Sequence, residues 1–144
     1  MVTEYTHCCV YAYISTPANT TTTNAGDWYR LEGTFTNEIL RGFSIPATLL
    51  TYNGQTRYFQ ITILGSFTSD TNGTELTLGI YKNGVLEANS QMITYLKTSG
   101  EYYAMGLCDI ISLADTNTLE IRIKSNQAGA NIQAVTLTTS AITV

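Results

Sequence analysis

The chain has 144 residues and a mass of 15.8 kDa, enough for one domain with its own core. It is 44% hydrophobic and only 12% charged, with a net charge of −4 and seven scattered Lys and Arg, so no basic cluster exists to grip a nucleic acid. No apolar run reaches the ~20 residues that span a bilayer, so no membrane partner is expected. The opening "MVTEYTHCCVYAYIS" lacks the basic region of a secretory leader, and the chain reads as complete from Met1 and made in a cytoplasm.

The elements follow one another as strands with turn signals between them. "HCCVYAYI" (7–14) opens the chain and runs into "STPANTTTTNAGD", a polar stretch without periodicity that reads as a loop or extended arm. The alternative for its Thr run, 20–23, is an arm docked on a partner subunit. "WYRLEGTF" (28–35), "RGFSI" (41–45) and "TLLTY" (48–52) follow. In "TRYFQITILGSF" (56–67), Phe59, Ile61 and Ile63 share one face, with Tyr58, Gln60 and Thr62 on the other. "ELTLGIYKNGVLEANS" (75–90) is a hairpin: Leu76, Leu78 and Ile80 fall two apart, and Asn83-Gly84 suits a type I′ turn. "EYYAMGLCDIISL" (101–113), "TLEIRIKS" (118–125) and "NIQAVTLTTSAITV" (131–144) complete the set, with Leu119, Ile121 and Ile123 opposite Glu120, Arg122 and Lys124. Eight to ten strands without a helix predict an all-β fold, a single antiparallel β-sandwich. Residues 1–27 form an N-terminal strand and Thr-rich arm of the same domain, and 28–144 its body.

The order of these pieces carries a resemblance. The segment "NGQTRYFQITILGSFTSDTNGTELTLGIYKNGVLEANS", then "ADTNTLEIRIKS" and the terminal "NIQAVTLTTSAI", resembles the tumour-necrosis-factor-like and complement-head jelly rolls over roughly residues 28–144. Ala114-Asp115 stands where that pattern usually has Gly-Asp. Bacteriophages use similar short jelly rolls, typically as trimers, in capsid decoration proteins and fibre tips. The resemblance therefore implies a phage capsid decoration (cement) protein. Such a protein is a homo-trimer bound to the major capsid protein at the virion surface and made in the host cytoplasm. The alternative it implies is a head- or tail-fibre tip recognising host glycans.

The residues themselves offer no catalytic device, and none is expected. A Ser-His-Asp or Cys-His arrangement needs a histidine, and His7 is the only one. In a strand His7 and Cys9 share a face, and Cys108 is available from a neighbouring strand, yet no fourth ligand or Cys-x-x-Cys knuckle accompanies them. No metal and no cofactor are expected, and Cys8, Cys9 and Cys108 read as three buried, unbridged thiols. The carboxylates that glycoside hydrolysis would need fall in turns or at polar steps of strands. Asp109 is the exception: inside an apolar strand it reads as a bulge or an ion pair with Arg57 or Arg122.

Ten tyrosines are too many for one core, and tyrosine concentrates at interfaces that are apolar but wet. Tyr58 and Tyr81 lie opposite the aliphatic sets of their strands. In a family-like trimer they are the expected subunit-interface residues, with sugar stacking as the competing use.

Overall fold

The computed structural model describes residues 8–46 and 48–144, so His7 and any role for it lie outside the described residues. Twelve strands form two six-stranded sheets, and no described residue is helical. The strands are β1 (Cys9–Pro17), β2 (Asn19–Thr22), β3 (Trp28–Arg30), β4 (Gly33–Arg41), β5 (Phe43–Ser44), β6 (Leu49–Tyr52), β7 (Arg57–Ser69), β8 (Thr74–Lys82), β9 (Val85–Leu96), β10 (Tyr103–Leu113), β11 (Thr118–Ser125) and β12 (Ala130–Thr143). The first sheet runs β10-β7-β12-β1-β4, with β2 also paired to β12. The second runs β5-β6-β11-β8-β9, with β3 also on β11. All pairings are antiparallel, and β1 lies beside β12, so the first and last strands pair in the interior of the first sheet.

Alternation decides the interior. Phe59, Ile61 and Ile63 of β7 face Leu76, Leu78 and Ile80 of β8 and Leu119, Ile121 and Ile123 of β11 across the sandwich, and all nine are buried. One residue of register slip would have turned each set to solvent. At one end the core closes on an aromatic triad, Phe43, Tyr52 and Phe59, with ring centroids 4.9 to 5.3 Å apart. The Asn83-Gly84 turn joins β8 to β9 with both residues at positive φ, 50° and 76°, as the dipeptide predicts.

Two segments depart from the sequence reading. "WYRLEGTF" is not one strand: β3 pairs with β11 in the second sheet, and the chain then crosses to pair β4 with β1 in the first. Buried Leu31 and Gly33, at φ +135°, lie at the crossing. The Thr run is not a loop either. As β2 it pairs with β12 of its own chain, Thr20↔Ile132 and Thr22↔Ala130. Its polar side chains are satisfied locally: Thr22 donates to the Gln127 carbonyl at 3.0 Å, and Thr20 Oγ1 accepts from the Glu32 N–H at 2.8 Å.

Candidate subunit interface

The alternation that buries Phe59, Ile61 and Ile63 turns Tyr58, Gln60, Thr62 and Leu64 to the outside of the first sheet. Cross-strand register extends this into rows running the width of the sheet. Ile110, Gln60, Ile142, Cys9 and Arg41 form one row. Cys108, Thr62, Ser140, Tyr11 and Ile39 form the next. Gly106, Leu64, Thr138, Tyr13 and Thr36 form the third. Arg41 is the one charged residue in these rows. Ile110, Ile142 and Leu64 are 59%, 57% and 56% exposed.

Gly106 has a steric reason to lack a side chain. A Cβ there would come within 2.5 Å of Leu64 Cδ2, so glycine lets the leucine lie across the neighbouring strand. Irregularities between Tyr11 and Ala12 on β1 and between Ala134 and Thr136 on β12 break the flat ladder. A groove of about 320 Å³ opens there, lined by Tyr11, Tyr13, Ile14, Glu38, Thr136, Leu137 and Thr138. Sequence reading had not picked out Tyr11, Tyr13, Leu64, Ile110 or Ile142 as one surface. Their shared position follows only from the strand order.

Tyr58 stands at one end of this face, paired with Ser112 and 62% exposed. Tyr81 does not belong to it. It lies on the second sheet and is only 7% exposed, so the expectation that it faces outward freely is corrected. Alternation does place it on the sheet's outer side, but that side is covered. Trp28 meets Tyr81 edge-on at 5.5 Å between centroids, and the Arg122 guanidinium sits 4.1 Å above its ring. Arg122 Nε in turn donates to Glu120 Oε1 at 2.5 Å. Burial raises the Tyr81 phenol above its usual range, against the opposing charge of Arg122.

The other singled-out residues disperse. Cys8 is buried, Cys9 half-buried on the opposite face and Cys108 exposed, which corrects the expectation of three buried thiols. Cys9 on β1 and Cys108 on β10 are separated by β12 and β7, so they are not on neighbouring strands. Among the described residues no group of His, Cys, Asp and Glu is arranged to hold a metal ion. Asp109 is neither bulged nor joined to Arg122. The β10–β7 register is continuous through it, its Oδ1 accepts the Ile110 N–H at 2.8 Å, and Arg122 is engaged by Glu120.

No family model matches the chain, and no curated protein matches it by sequence. Solved structures do. Murine APRIL superposes with a TM-score of 0.65 at 12% identity, over 96% of this chain and 99% of its own. Eiger TNF from S. frugiperda gives 0.59 at 8% identity, over 96% and 92%. The PRD1 vertex protein P5 gives 0.54 at 13% identity, over 95% and 96%. At these identities the likeness is one of architecture, and the chain folds as a tumour-necrosis-factor-like jelly roll.

Proposed function

We propose that this chain is a non-enzymatic structural protein of a phage virion, a capsid decoration protein that assembles as a trimer and braces the major capsid protein. The observation that carries the reading is the outer face of the first sheet. Three rows across five strands hold one charge and leave Ile110, Ile142 and Leu64 more than half exposed. A single-chain protein seldom leaves so broad a face apolar with so little charge, and a repeated contact between copies accounts for it. The jelly-roll likeness to the PRD1 vertex protein P5 supports a place on a particle.

Around a threefold axis each copy makes two contacts, and the ring closes without a free surface on which fibres can grow. A stable contact buries about 800 Å² on each partner, so two of them cover roughly a fifth of the 7099 Å² that one chain exposes. Tyr58 stays in the proposed interface, and Tyr81 leaves it.

Light scattering on the purified protein at micromolar concentration should give three times the chain mass. Mixing it with capsids stripped of accessory proteins should restore mass in multiples of three and raise their resistance to heat. A stable monomer with no affinity for any capsid would refute the reading.

A further inference from the structure

The opposite flank of the molecule carries a separate arrangement. The outer face of the second sheet holds the chain's single tryptophan, half-buried on β3 rather than in the core. Trp28 lies over β8 at Gly79, where a Cβ would come within 2.9 Å of its Cη2. The Lys124 ammonium sits 5.0 Å from the centroid of the indole.

Next to Lys124 opens a cleft of about 120 Å³, lined by Gly26, Glu75, Thr77, Lys124, Ser125 and Asn126. Glu75 is paired across the ladder with Tyr95, which is 59% exposed on the same face. Two aromatic rings therefore flank a carboxylate and an ammonium. These two charges do not form an ion pair, since the one salt bridge among the described residues joins Arg122 to Glu120.

We propose that this cleft is a binding subsite for a neutral hexopyranose saccharide, read by Glu75 and Lys124 between Trp28 and Tyr95. The chemistry selects the class. Glu75 can only accept hydrogen bonds and Lys124 can only donate them, and two neighbouring hydroxyls of one sugar ring serve both at once. The apolar C–H face of a pyranose suits an exposed aromatic ring, and Tyr95 offers one beside Glu75, while the Trp28 ring carries the Lys124 ammonium. An anionic ligand is disfavoured, because Glu75 lines the cleft and Asp27 lies directly between its Gly26 and Trp28 in the chain. The Asn126 side chain is committed to the fold, its Oδ1 accepting the Glu75 N–H at 2.8 Å, so it shapes the cleft rather than reading the ligand. The site shares no residue with the face proposed for assembly.

Because Trp28 is the only tryptophan, intrinsic fluorescence reports on this site directly. Titration of the full chain with trisaccharides of glucose, galactose, mannose and N-acetylglucosamine should give a saturable change with at least one of them. Glu75→Ala, an exposed substitution that leaves Trp28 and Lys124 in place, should weaken that binding about tenfold, the equivalent of one lost hydrogen bond to a charged group. Tyr95→Ala should weaken it as well. The proposal is overturned if none of the four sugars gives saturation up to about 10 mM, where even a millimolar site fills. It is equally overturned if binding saturates but ignores Glu75→Ala. A monomeric chain that still binds sugar would sink the assembly reading alone, and a trimer that ignores all four sugars would sink this one alone.

Discussion

Tyr58 and Tyr81 sit on consecutive strands, β7 and β8, with the same alternation, yet truncating them should have different consequences. Tyr81→Ala removes an edge-on contact with Trp28, worth about 0.5–1.5 kcal/mol, and a guanidinium stack worth about 0.5–1 kcal/mol. Loss of the ring's apolar burial adds about 2 kcal/mol. The fold should lose about 3–4.5 kcal/mol, which for a chain of this size lowers Tm by roughly 6–18 °C. Tyr58→Ala touches a side chain that is 62% exposed in the single subunit, so the fold should change by less than about 0.5 kcal/mol. Its cost should fall on assembly instead, at about 2 kcal/mol if it is an anchor of the contact, or roughly 30-fold in affinity. Urea unfolding at several protein concentrations separates the two, because association makes stability concentration-dependent and folding of a monomer does not. Light scattering across the same range reads the trimer. If Tyr58→Ala unfolds as early as Tyr81→Ala, or if Tyr81→Ala dissociates the assembly with its fold unharmed, the assignment of the two faces is wrong.

Acid should weaken one end of the sandwich first. The Asn131 backbone N–H, at 2.9 Å, and its side-chain amide, at 2.7 Å, hold the Asp70 carboxyl below its usual range. A depressed folded-state pKa stabilises the fold above the unfolded value of about 3.9, and that contribution disappears as pH falls through the lower folded value. Asp70→Ala should therefore be destabilised at about pH 6, with a penalty that shrinks as pH falls below about 4, as measured by denaturant midpoints; a penalty that does not change with pH would reject the linkage. At the alkaline end, burial and then the hydrogen bond to Cys8 push Tyr52 up to about 12. Its contribution is complete below about pH 10 and lost as pH rises through about 12. A phenolate absorbance titration should show a late step that Tyr52→Phe reduces by the amplitude of one tyrosine, leaving that of Tyr81, and an unchanged curve would refute this.

Period-two alternation made the interior legible, because a strand has only two faces and the aliphatic sets of β7, β8 and β11 each occupy one. Asn83-Gly84 was equally legible, since few dipeptides take two positive φ angles. What alternation withholds is the identity of the cover on the other face. Tyr81 was placed on the correct side of its strand, but Trp28 reaches it from far away in sequence, across β11. The signal was Gly79, a glycine inside an otherwise apolar strand, which marks the close approach of another group. The Thr run failed for a different reason. Its burial alternates like a strand's, but hydroxyls paired to backbone groups, Thr22 to a carbonyl and Thr20 to an N–H, stand where apolar side chains would have advertised it. The break in "WYRLEGTF" was likewise marked by Gly33, and only the sheet order shows that the chain changes layers there.

The two sheets share a core and treat their outer faces in opposite ways. On the second sheet the chain covers itself: Trp28 and Leu86 approach over Gly79, Arg122 lies on Tyr81, and β8 is buried on both faces through its middle. The first sheet receives no such cover, although it is as wide and its outer side chains are as apolar. Charge, the usual means of keeping an apolar sheet solvent-facing, is confined to its β4 side, where Glu38 and Arg41 lie. Arg41 lies at one edge, and Gln60, Thr62, Thr138 and Ser140 in the middle are neutral groups that a protein partner can bury with their hydrogen bonds made. A face left uncovered and charged only along β4, with glycine letting Leu64 lie flat across it, has the composition of an interface interior. The asymmetry between the two sheets therefore favours assembly through the first and leaves the second, with its aromatic-flanked cleft, turned toward solvent.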